Sequence, residues 1–173
     1  MKNVVGILSA AAMLLGVSLA FQAAAATETV ITESSFGCMH TGTKIRKTYI
    51  RHADPAKLKE AVRIFENKVE GVEYPEGTIL QLVPNEVMVK AAKKDFPNTN
   101  GWEFFLLDVS ATGTKIAARG EKAGNPGGTC LGCHQAGAKF DYVCEKDHGC
   151  APIPVTDEQI LAAQGKDPRC TAQ

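Results

Sequence analysis

Neither sign of charge is in excess in this chain: 19 Lys and Arg stand against 19 Asp and Glu in 173 residues. No basic stripe breaks that balance, so nucleic acid, which is held by clustered positive charge, is not an expected partner. Internal repeats are missing, and so is any low-complexity tract beyond the first residues, which sets aside solenoid architectures. After the N-terminal stretch no apolar run is long enough to cross a bilayer. Methionine is scarce and confined to the first half of the chain, at Met1, Met13, Met39 and Met88.

The first 26 residues read as a secretory signal peptide. Lys2 precedes an apolar run from about Val4 to Phe21, and an alanine cluster follows, with cleavage expected after Ala24 or Ala26. The expected product is a periplasmic protein spanning 27–173, without a membrane span after processing. Loss of Lys2 leaves 18 basic against 19 acidic side chains. A chain of that length can bury one real core, so a single domain is expected.

The expected fold class is α+β. Thr43–His52 reads as an extended segment. In Ala53–Gly71, Asp54 suits the N-cap, Pro55 the first helical position and Gly71 the stop. Leu58, Ala61, Val62, Phe65 and Val69 make a stripe at helical spacing, read as core packing. From Tyr74 the pattern changes to strands. YPEGT is a turn, and TILQLVP (Thr78–Pro84) is rich in branched residues. VMVKAA (Val87–Ala92) is a further strand, with a short helix as the alternative. WEFFLLDV (Trp102–Val109) is apolar on both alternating sets, as in a strand covered on both faces. KIAAR (Lys115–Arg119) is its hairpin partner. These strands make an antiparallel meander with the Asp54 helix packed on it. Gly120–Gly128 is a flexible glycine-rich connection. A short C-terminal helix runs over Thr156–Gly165, with Thr156 and Gln159 forming a capping box.

Six cysteines remain after processing: Cys38, Cys130, Cys133, Cys144, Cys150 and Cys170. Two of them fall in Cys130-Leu-Gly-Cys133-His134, a spacing that suits one covalently attached haem c. Each thiol reaches one vinyl group, and the adjacent imidazole becomes the proximal iron ligand. Two other chemistries use similar residues. A redox dithiol prefers to open a helix after a strand in a βαβ unit, whereas a glycine-rich loop leads here. Zinc would draw on Cys130, Cys133, Cys144 and either His148 or Cys150. With haem on Cys130 and Cys133, the favoured pairing of the other four is Cys144–Cys150 and Cys38–Cys170.

The sixth iron ligand is the open question. Small electron carriers commonly place the motif early and draw a methionine from downstream, yet no methionine follows His134. Met39, His40, His52, Met88 and His148 remain as candidates, each with an ordinary role as the alternative; His148 in particular reads as a solvated side chain. An iron with five ligands, or with water as the sixth, is the expectation. Glu103, beside Phe104 and Phe105, is either an exposed carboxylate or a proton relay.

Several features in order resemble the cytochrome P-460 family, which includes the cytochromes c-prime-beta. They are a helix ending near a glycine, the YPEGT turn, a strand, the Gly101-Trp-Glu-Phe-Phe strand, and a late Cys-x-x-Cys-His followed by Asp141-Tyr142-Val143. The resemblance covers roughly 54–143. It implies a mostly antiparallel fold, often homodimeric, with His134 as proximal ligand and an open distal side. Members with a lysine cross-linked to the haem oxidise hydroxylamine, whereas the c-prime-beta branch binds nitric oxide and carbon monoxide. The strand TILQLVP has no lysine for such a link, and the next in sequence is Lys90. Distal phenylalanines of the gas-binding branch would correspond to Phe104 or Phe105. The function this implies is gas binding or nitrogen-oxide redox chemistry, with electron exchange to a redox partner protein. The alternatives are a plain electron carrier with a six-coordinate haem and a hydroxylamine-oxidising enzyme. The four-helix cytochromes c-prime also attach haem late, but their bundle conflicts with the strand pattern.

Overall fold

A computed structural model describes residues 30–125 and 128–170. The expected signal peptide lies outside them. Six strands form one antiparallel sheet in the order β1-β2-β3-β4-β5-β6: β1 (Thr43–Ile45), β2 (Thr48–Arg51), β3 (Ile79–Val83), β4 (Glu86–Lys90), β5 (Trp102–Ser110) and β6 (Gly113–Arg119). Spatial order equals chain order, so the sheet is a meander, with α1 (Pro55–Asn67) inserted between β2 and β3.

The segment expected to be simply extended is instead a hairpin. Arg46 turns the chain in the left-handed region, at φ 54°, and Ile45 then pairs with Thr48. Helix α1 starts as its sequence suggests, with the Asp54 carboxylate accepting from the amides of Ala56 and Lys57. It ends earlier than Gly71, because Lys68 adopts the left-handed cap at φ 49° and its amide donates to the Ile64 carbonyl. Val69 is therefore outside the helix, and Ile64, not Val69, joins Ala61 and Phe65 in the core. Burying a side chain the size of Phe65 is worth about 1.5–3 kcal/mol.

Of Val87–Ala92, Val87–Lys90 resolves as strand, within β4, and its register puts Met88 opposite Phe104 and Val87 opposite Phe105. Alternation along β5 then divides the molecule into two cores. Phe104 and Trp102 belong to a cluster with Ile50, Leu80, Met88 and the α1 residues. Phe105 and Leu107 belong to another, with Val87, Val89 and Phe36. The doubly apolar pattern of β5 thus reflects cover on both faces, by α1 on one side and the Phe36 segment on the other.

Part of the glycine-rich connection is ordered by pairing: β7 (Gly124–Asn125) lies antiparallel to β8 (Gly128–Thr129). Gly124 has no room for a side chain, since an added Cβ would lie 2.4 Å from the Gly128 carbonyl oxygen. The ladder delivers the chain into α2 (Cys130–His134), where the Thr129 hydroxyl accepts from the Gly132 amide. Helix α3 (Asp157–Gly165) has the expected capping box between Thr156 and Gln159.

Both favoured disulfides form, Cys38–Cys170 and Cys144–Cys150. The first is reinforced by a buried polar knot. Arg169 makes a forked pair with Asp167, at 2.8 Å to each carboxylate oxygen, and also donates to the carbonyls of Phe36 and Pro84. The Met39 amide completes the Asp167 shell at 3.1 Å. Burial opposes the charge on Asp167, but hydrogen bonds from Arg169 and Met39 outweigh it and hold its pKa below the ordinary value.

Candidate haem-attachment site

One helical turn sets the geometry of Cys130-Leu-Gly-Cys133-His134. Residues three apart in a helix share a face, so α2 puts both thiols on one side of the turn. They are the only free cysteines among the described residues, and Cys133 is exposed. Burial raises the Cys130 pKa, with a smaller contribution from the Glu86 carboxylate. A thiol pushed in that direction is a poor thiolate nucleophile, which argues against a redox dithiol. The antiparallel sheet likewise offers no βαβ unit. The zinc set fails for a simpler reason: Cys144 and Cys150 are bonded to each other.

His134 is oriented by the loop that follows it. Its Nδ1 donates to the Tyr142 carbonyl at 2.7 Å, which fixes the tautomer and leaves Nε2 with a bare lone pair. Burial lowers the His134 pKa and the carbonyl contact opposes it, so the imidazole is held neutral, the form that binds a metal. Two free thiols on one face, next to a neutral imidazole with an unengaged Nε2, fit a c-type haem. Cys130 and Cys133 would hold it, and His134 would face its iron. When bound, such a group supplies reversible electron transfer and an iron site for small ligands.

The two phenylalanines part company here. The Phe104 ring lies 5.0 Å from the His134 ring, centroid to centroid, and buttresses the imidazole directly. Phe105 faces the opposite side of the sheet and packs against Phe36, with ring centroids 5.0 Å apart. The structure does not bring Phe105 to the motif, because neighbours in a strand point to opposite faces.

Two further expectations are corrected. Glu103 is not an exposed carboxylate: it is buried on the Phe105 face and paired with Arg119 at 2.6 and 2.9 Å. His148 is not a solvated side chain. It is buried, stacked at 3.7 Å on Phe140, and its Nδ1 donates to the Val143 carbonyl at 2.6 Å.

The candidate sixth ligands are scattered. His40 stacks on Tyr49 and contacts the Gln164 carbonyl. His52 engages both ring nitrogens, with the Glu76 carbonyl and the Asp54 amide. Met39 is buried beside the Asp167 knot. Only Met88, of these five, sits in the Phe104 cluster, against which Cys130 and Leu131 pack.

Sequence reasoning missed the support beneath this loop. Lys90 and Asp141 form a buried ion pair, with side chains 3% and 2% exposed and contacts of 2.8 and 2.7 Å. Burial lowers the Lys90 pKa and the Asp141 carboxylate opposes it. The third donor of the ammonium goes to the Asn100 carbonyl at 2.6 Å. A signal was available, since a lysine on the core face of the apolar strand Val87–Lys90 requires a counter-charge.

Residues 81–145 match the family model described as Cytochrome P460. No curated protein and no solved structure matches the chain. The matched segment begins within β3, takes in β4, β5 and β6, and contains all of α2 and the Asp141-Tyr142 turn. Over that segment the chain is similar to the cytochrome P460 family, a likeness that supports a haem-binding cytochrome.

Proposed function

We propose that this protein is an exported monohaem cytochrome that binds a small neutral gas, nitric oxide or carbon monoxide, at an iron whose sixth position is open or water-filled. Cys130 and Cys133 would hold the group by thioethers, and His134 would face its iron. The observation that carries the reading is the composition of the sheet face beneath the motif. Ile50, Leu80, Met88 and Phe104 supply its apolar side chains, Cys130 and Leu131 pack against the cluster, and the Trp102 indole N–H lies in it without a partner. An apolar setting for the group favours a neutral diatomic, which enters at little desolvation cost, over an anion, which would lose its hydration without a partner. Two cystines support a setting outside the cytoplasm, where disulfides persist.

The residues of this chain have limited tasks in such a site. The Tyr142 carbonyl holds the Nδ1 proton and thereby points Nε2 outward. Phe104 blocks rotation of the imidazole and excludes water from one side. Lys90 has all three donors engaged by Asp141 and Asn100, which favours a haem without a lysine cross-link over the hydroxylamine-oxidising alternative.

A second reading rests on Met88, whose thioether sits on the same face as the motif. As sixth ligand it would make the protein an electron carrier. Adding carbon monoxide to the reduced protein separates the two. Rapid formation of a carbonyl spectrum in the unmodified protein supports the open site. A low-spin spectrum that resists the gas until Met88→Leu is introduced supports the electron carrier and overturns the first reading.

A further inference from the structure

The loop that orients His134 is backbone of an uncommon kind. Asp141 and Tyr142 are consecutive non-glycine residues with φ of 53° and 61°, both in the left-handed region. L-residues adopt that conformation mainly singly, and it persists only where the surroundings over-determine it. Here they do. The Asp141 carboxylate receives two contacts from Lys90, one from the Asn100 side chain at 2.6 Å and one from the Tyr74 amide at 2.8 Å. The Tyr142 amide is held by the Gly137 carbonyl at 3.0 Å. The next atoms along the chain are those of the Tyr142 carbonyl, the acceptor for His134 Nδ1.

We propose that Lys90 and Asp141 are positioning residues for the proximal histidine. The ion pair, anchored on β4, holds the left-handed pair of residues that presents the Tyr142 carbonyl to the imidazole. The inference rests on the haem reading above and deepens it. A stronger Nδ1–H···O bond makes the imidazole a more basic donor at Nε2, so a pair 51 residues apart in sequence sets the electron density given to the iron. Gas affinity and midpoint potential then depend on a salt bridge that touches neither the thiols nor the imidazole.

The test is resonance Raman spectroscopy of the reduced holoprotein, read at the iron–histidine stretching band, together with the midpoint potential. Lys90→Met and Asp141→Asn are expected to move the band to lower frequency and raise the potential, and Lys90→Arg is expected to return both toward the unmodified values. Should the two disruptive variants fail to fold, Asn100→Ala removes one donor from the carboxylate and keeps the charge pair; the same shifts, smaller, are expected. A folded variant set with an unmoved band and potential overturns the inference, whatever happens to stability. A protein with no haem spectrum in any variant overturns the haem reading itself, an outcome distinct from an unmoved band.

Discussion

The Cys38–Cys170 disulfide encloses a sequence separation of 132, while Cys144–Cys150 encloses one of 6. Chain entropy makes these bonds unequal. At room temperature the loop-closure relation gives about 5 kcal/mol for the long loop and about 2 kcal/mol for the short one. Replacing Cys38 and Cys170 together by Ala should therefore destabilise the protein by more than twice as much as replacing Cys144 and Cys150. The Asp167–Arg169 knot beside the long cross-link keeps the native end in place, so the loss should arise almost wholly in the unfolded state. Urea unfolding followed by circular dichroism measures this. The expected outcome is a lower midpoint and also a steeper slope, because an unfolded chain freed of a loop enclosing most of its length exposes more surface. Haem content, read from the Soret band, should stay unchanged. If the short-loop pair proves the costlier, or the long-loop variant unfolds with an unaltered slope, chain entropy is not the source of the stabilisation.

Other outcomes are open to measurement. Asp167 has a depressed pKa in the folded protein, so its contribution is complete above the unfolded-state value, near 3.9 by the ordinary scale, and is lost as pH falls through the folded one. Asp167→Asn should flatten acid unfolding in that window, while costing about 3–5 kcal/mol at neutral pH by leaving Arg169 buried and unpaired. Phe65→Ala should cost about 3–5 kcal/mol in urea titrations without altering the iron–histidine band. Cys130→Ser should leave a single thioether, seen as a red-shifted pyridine haemochrome band. Each of these can fail independently of the others.

What could be read from the sequence was local. The N-cap at Asp54, the capping box at Thr156 and the alternation in β5 each depend on residues within a few positions, and each formed as expected. The turn at Arg46 was not legible, because a left-handed arginine carries no glycine or asparagine signal. Glu103 was misjudged and the role of Lys90 overlooked for another reason. A charged side chain is buried only when a partner meets it, and those partners, Arg119 and Asp141, come from other parts of the chain. His148 is similar: the aromatic that covers it, Phe140, is near in sequence, but only the cystine loop brings the rings into register. The Cys130–His134 motif itself was plain to see, whereas the contacts behind its histidine were spread over three segments.

Contact between a free cysteine and a cystine would give covalent assembly at the motif a direction. Cys144 Sγ lies 3.5 Å from the carbonyl oxygen of Cys133, so a residue with a free, exposed thiol is in contact with a cystine, the pairing of groups from which thiol–disulfide exchange starts. Were Cys130 and Cys133 joined to a porphyrin first, exchange could no longer draw them in, and four cysteines with three possible pairings would remain, one of which the structure holds. For a chain that takes the proposed haem the order matters: oxidation of Cys130 or Cys133 into a cystine before attachment would leave it colourless although every residue needed for colour is present.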